Sequence, residues 1–277
     1  VTKQRKARNH KFPNTRVTSK ENSAIYSSKV IKSGALLDDT LTLLNIWDTS
    51  VSNKSNVSRI SELNMLGKAS RSRLSDILSI FIQRYAYEKR IVKSIKKLIE
   101  NDVDRDVILK ILYYHTAISD RLVNDIISNF LFYKKSSGII DVYVHEIEFT
   151  ILKWNDEGKM PSKWGDITIK RAAQSTMAIL RDFGVFEGAV KKRFSPFFLP
   201  LKTFAYVAFL VKEKQPSGMK LLDSDVWKLF FLDRQLVERY LLEADHQGLL
   251  DYHVAGNVTR LVFPVETLEE YVDVLVG

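Results

Sequence analysis

The sequence predicts a mainly α-helical fold: a helical bundle that carries short β-hairpins in winged-helix-like units toward the carboxyl end. Three observations predict it. Apolar residues recur at spacings of three and four along most of the chain, which marks helices with one buried face. Two segments, closed by Pro200 and Pro264, repeat one grammar of capped helix, glycine stop, hairpin and proline. The 277 residues are 45% apolar and 11% aromatic, enough to fill a core.

Residues 1–24 are polar and basic without periodicity and read as a flexible tail. Residues 25–135 read as an amino-terminal bundle with short connections. Its first helix starts after Gly34, with Leu36, Leu37, Leu41, Leu44 and Trp47 on one face. Ser55 or Ser58 caps the next, with Val57, Ile60, Leu63 and Leu66 inward and Gly67 as its stop. In "KASRSRLSDILSIFIQRY", residues 68–85, Ser70 or Ser72 opens a helix. Its Leu74, Ile77, Leu78, Phe81, Ile82 and Tyr85 fall at i, i+3, i+4, i+7, i+8 and i+11. Further helices are expected near 88–100, 104–116 and 119–135. Asp102, Asp104 and Asp106 imitate a calcium loop, but Val107 stands where glycine is needed and Tyr113 where glutamate is. Asp104 therefore reads as a helix cap.

A helical unit with a basic hairpin is expected over 136–199. A helix near 141–156 precedes one capped by Asp166, with Ile169, Ala172, Ala173, Thr176, Met177 and Leu180 inward. Gly184 stops it, and "VFEGAVKKRFSPFF" reads as a hairpin. In the acidic unit 200–277, Asp233 caps a helix with Leu236, Val237, Tyr240, Leu241 and Ala244 inward. Gly248 ends that helix, and "LLDYHVAGNVTRLVF" turns at Gly256-Asn257. Sixteen residues separate glycine from proline in both copies, which lie 64 apart. Their identity is slight, so the repeat is one of element order. The apolar stretch 194–211 is interrupted by Pro196, Pro200 and Lys202 and is too broken for a spanning helix of about 20 residues. It is expected in the core, and no membrane contact is expected.

The formal charge of +9 points to an anionic partner. Residues 1–20 supply +7, with Lys3, Arg5, Lys6 and Arg8 among their cations and no acid. Residues 54–97 hold a net +8, whereas 200–277 carry −4. Any nucleic-acid surface therefore belongs to the first two-thirds of the chain. The chain has no cysteine, which excludes disulfides and thiolate chemistry and fits a reducing cytoplasm.

No catalytic motif stands in the sequence. His10, His115, His145, His246 and His253 are scattered without metal-site spacing, and "HEIE" at 145–148 lacks the second histidine of a zinc helix. There is no phosphate-cradling glycine loop and no nucleophile elbow. Asp38 and Asp39 suit a helix amino end better than a metal pair. A non-enzyme without cofactor, metal or small-molecule substrate is the expectation.

Duplex DNA contact is expected at two places besides the tail. Lys68, Arg71 and Arg73 cluster at a helix start, where Ser70 and Ser72 add hydroxyl donors for phosphate. A helix-turn-helix register with Gly67 at the turn fits poorly, since Glu62 and Arg73 land at apolar positions. This favours phosphate contact over base reading there. The helix from 166 exposes Lys170, Arg171, Gln174 and Ser175 beside a hairpin carrying Lys191, Lys192 and Arg193, a pairing suited to a groove and its flanking backbone. The last unit offers Arg234 and Arg239 but surrounds them with Glu238, Glu243, Asp245 and Asp251, which suits packing or partner binding.

Three stretches together resemble the BrxA family of bacteriophage exclusion (BREX) defence systems. They are "IKSGALLDDTLTLL" at 31–44, the 68–85 segment, and "WGDITIKRAAQSTMAILRDFGVFEG" at 164–188. The resemblance implies a mainly helical cytoplasmic protein likened to the NusB fold, binding double-stranded DNA without catalysis beside other BREX subunits. The family's basic "RSR" region falls on Arg71, Ser72 and Arg73. Two alternatives stay open: a protein-interaction scaffold in the same assembly, and an RNA-binding antitermination-like factor.

Overall fold

The structure, a computed structural model, describes residues 26–188, 191–215, 217–256 and 258–277. It is mainly helical with small antiparallel sheets, as the periodicity predicts. A short helix, α1 (Val30–Ser33), precedes α2 (Leu37–Ile46), α3 (Asn53–Glu62), α4 (Arg71–Tyr85), α5 (Lys89–Glu100) and α6 (Arg105–Ser119). A continuous helical run follows through α7 (Arg121–Ile126), a π-helical segment (Ile127–Leu131) and α8 (Phe132–Ser136).

The apolar stripe of α4 packs inward as its spacing requires: Leu74, Ile77, Leu78, Phe81 and Tyr85 are buried and Ile82 partly so. Asp104 caps α6, its carboxylate accepting from Asp106 N at 2.7 Å.

Other starts and stops differ from the sequence reading. Ser52, rather than Ser55 or Ser58, caps α3, its hydroxyl accepting from Ser55 N at 3.1 Å. The helix stops at Glu62, and Asn64 (φ 43°) and Gly67 (φ 60°) then turn the chain through the left-handed region. Leu63 consequently points outward, 69% exposed, although its spacing assigns it inward. Asp166 is the first residue of α10 (Asp166–Asp182) and not its cap, a place taken by Gly165.

Ahead of α10 lie β1 (Asp141–Val142) and α9 (Val144–Asp156); behind it lie β2 (Phe186–Glu187) and β3 (Lys192–Phe194). The three strands form an antiparallel sheet in the order β1-β3-β2, with Asp141 opposite Arg193 and Phe186 opposite Phe194. The hairpin thus gains a third strand from before α9. All six residues assigned inward on α10 are buried.

The broken apolar stretch becomes α11 (Leu201–Lys214), entered from Pro200, with Thr203 through Val211 buried. Proline suits a helix entrance, where its missing N–H costs nothing. Phe204 stacks between Trp227 and Tyr240, with ring centroids 4.8 and 4.9 Å away. Then come α12 (Gly218–Leu222), a 3-10 turn (Asp225–Phe230), α13 (Arg234–His246), β4 (Asp251–Ala255), β5 (Val258–Val262) and α14 (Leu268–Val276). Asp233 caps α13 by accepting from Leu236 N at 2.9 Å. The β4–β5 hairpin closes with Ala255 opposite Val258, and Asn257 of its turn lies outside the described residues. Glycine is required at 218, because a Cβ there would meet Thr259 O of β5 at 2.5 Å.

One apolar cluster runs from Tyr26 to Leu275. It joins the carboxyl-terminal helices to the first half of the chain: α14 packs on α5, α11 packs on α6, and Lys97 pairs with Asp273. Among the described residues no helix is long and apolar enough to cross a membrane.

Candidate nucleic-acid interface

The amino end of α4 is set by Ser70, whose hydroxyl accepts from Arg73 N at 3.2 Å. That bond gives Ser70 a capping role, while Ser72 points to solvent. Arg71 is exposed beside Ser61, Glu62 and Leu74 along a shallow groove of about 310 Å³. Lys68 is half-buried and paired with Asp39 at 2.7 Å, so its charge is partly neutralised. Arg73 reaches across to α1, donating from Nη1 to Lys32 O at 3.0 Å.

On α10, Lys170, Arg171 and Gln174 share an exposed face and have no side-chain partner among the described residues. One turn beyond Arg171, Ser175, assigned to the exposed face from sequence, is instead part-buried because α1 packs over it, its Oγ donating to Ile31 O at 3.5 Å. Arg73 and Ser175 therefore meet adjacent carbonyls of α1. This short helix bonds to both α4 and α10, whose clusters are a hundred residues apart in sequence, and Lys32 on it and Lys29 just ahead of it are exposed. Lys32 is 70% exposed and loosely paired with Asp76 at 3.8 Å. A groove of about 340 Å³, lined by Lys29, Lys32, Asp76 and Gln83, separates α1 from α4.

Buried contacts fix α1 in this place. Tyr26 donates from its hydroxyl to Asp125 at 2.8 Å, lies 5.2 Å from the Trp154 ring, and donates its backbone N–H to Lys159 O at 3.1 Å. Arg84, buried in α4, donates to Ala35 O at 3.3 Å. Burial pulls the Arg84 guanidinium pKa below its ordinary value, against the raising influence of Tyr85 and Asp120. At the far end of α10, Lys110 donates to Phe183 O at 3.1 Å and sits 3.9 Å from the Phe197 ring centroid. Burial brings the Lys110 ammonium down to about 8, with Asp106 opposing.

The basic hairpin divides. Lys191 and Arg193 are exposed, Arg193 lying 3.7 Å from Asp141. Lys192 is 7% exposed and donates to Gly188 O, so it does not belong to the surface assigned from sequence. Strand alternation is the cause: β3 turns Lys192 and Phe194 inward and Arg193 outward. The tail cations Lys3, Arg5, Lys6 and Arg8 lie outside the described residues.

Sequence reasoning missed Lys29, Lys32 and the bridging part of α1, for four residues display no periodicity. In the carboxyl-terminal unit Arg234 is held by Asp223 at 2.6 Å and Glu238 at 3.2 Å. Among the described residues no three His, Asp or Glu side chains form a group able to hold a metal ion.

Fold and surface define a class: a mainly helical protein with small antiparallel sheets, in which the short α1 is bonded to both α4 and α10 and exposed cations stand on each of the three. The chain belongs to the BrxA family, whose profile matches residues 24–210, and hence to the components of BREX phage-defence systems. No curated protein matches the chain.

Proposed function

We propose that the chain is a non-catalytic subunit of a BREX system that binds double-stranded DNA through phosphate contacts from the face joined by α1. One observation carries this reading: Arg73 and Ser175 bond to neighbouring carbonyls of α1, which supports a single surface shared by the cations of α4, α1 and α10. A duplex presents a negative charge about every 1.7 Å, so a contiguous cationic face gains where scattered cations do not. The order helix, β1, α9, α10, β2, β3, with strands in the order β1-β3-β2, matches a winged-helix arrangement and supports α10 as the groove helix with Lys191 and Arg193 on its wing.

The test is a duplex titration of the intact chain against a variant carrying Lys32→Glu, Arg73→Glu and Arg171→Glu. Binding weakens almost equally for unrelated sequences, and the salt slope falls by about one unit per lost contact. Unchanged affinity overturns the reading, and preference for a single-stranded RNA competitor moves it to the antitermination alternative. A scaffold role also has support: exposed Leu242 and Val254 lie in the acidic unit, which suits docking of another BREX subunit. Subunits that stay bound after nuclease treatment reveal that role.

A further inference from the structure

We infer that the exposed face of α10 reads bases as well as gripping phosphate, with Ile167 against a thymine methyl and Gln174 on adenine. This rests on the DNA-binding reading above. Among the described residues, α10 exposes one large apolar side chain, Ile167, and it is 71% exposed in the first turn. Lys170, Arg171 and Gln174 follow at i+3, i+4 and i+7, which places all four along one stripe. Asp166 lies about 100° round the helix from Ile167 but one turn below Lys170, so an exposed acid borders the first-turn edge of that stripe and leaves Arg171 and Gln174 clear of it.

Neither Gln174, Lys170 nor Arg171 is engaged by another side chain among the described residues, so their donors are available. The cations select the occupant. A solvent-facing isoleucine flanked by free Lys170 and Arg171, with exposed Lys32 on the α1 that α10 contacts and Lys29 just ahead of it, complements a polyanion that offers apolar groups between its phosphates. The major groove of DNA does so: it admits an α-helix and displays the thymine methyl, and a glutamine amide matches the N6 and N7 edge of adenine. Seven residues of helix span about 10 Å, close to three base-pair steps. Ile167 and Gln174 therefore address positions about three pairs apart, with Arg171 between them for guanine or the backbone.

The test begins with selection from duplexes with a randomised core, using the intact chain. Enriched duplexes are then remade with deoxyuridine for thymidine, which deletes only the methyl. Wild-type protein loses about fourfold in affinity at one position, the worth of one buried methyl. Ile167→Ala binds both duplexes alike, and Gln174→Ala loses about tenfold of its preference for adenine about three pairs away. Both side chains are exposed, and a matching melting temperature verifies that each variant is folded. Duplex binding with no enrichment, or with enrichment indifferent to the methyl, overturns the inference and leaves phosphate binding standing. A change in sedimentation of the Ile167→Ala protein alone, with the methyl effect intact, assigns Ile167 to a protein contact and overturns it too. No duplex binding overturns both readings.

Discussion

At the residue scale, His115 is the clearest case of a side chain whose chemistry the fold has removed. It is fully buried, with Nε2 2.9 Å from the Tyr206 hydroxyl and Nδ1 3.4 Å from that of Tyr87. Burial, with a smaller push from Lys214, lowers its pKa to about 3 from 6.5. Between those values the unfolded chain binds a proton that the folded chain refuses, so stability is complete above pH 6.5 and drains as pH falls toward 3. The slope is about 1.4 kcal/mol per pH unit. Denaturant melts of wild type and His115→Gln at pH 7.5 and 5 isolate it, and the gap between pH values shrinks in the variant. Lys192 shows how finely a site can be misread: "KKRF" offers three equivalent cations until β3 alternation turns one inward. Lys192→Ala therefore costs about 1 kcal/mol of stability through its lost stem and hydrogen bond, whereas Lys191→Ala leaves the melting point in place.

At the element scale, helices were legible wherever an apolar stripe exceeds three turns, as in α4, α10 and α13. Their starts were legible where the cap is an aspartate two or three residues ahead of a clear stripe, as with Asp104 and Asp233. Where several serines crowd one boundary, as at Ser52, Ser55 and Ser58, local chemistry offers equivalent oxygens and packing selects among them. The same holds for Ser70 and Ser72, and there the structure makes a direct prediction. Ser70→Ala costs about 1 kcal/mol by freeing the Arg73 N–H, while exposed Ser72→Ala stays within about 0.5 kcal/mol. Thermal melts distinguish them. In α11, Phe204 fills the space between Trp227 and Tyr240, so Phe204→Ala costs about 3–5 kcal/mol in the same measurement.

At the scale of the whole molecule, the core and the charge asymmetry were readable, but the assembly of the interface was not. Periodicity tells which face of a helix is buried and is silent on which helix covers it. The pairing of α14 with α5, and the third strand contributed by Asp141 and Val142, depend on contacts between distant segments. The same limit hid α1, whose carbonyls receive Arg73 and Ser175 and so unite two basic clusters. The central claim is that unity, and hydrogen exchange of the intact chain with and without a duplex measures it most directly. The account predicts slowed exchange together in the peptides covering 26–33, 70–76 and 166–178, with the acidic 223–256 region unaffected. Protection confined to one of these segments, or located on the acidic region, contradicts it.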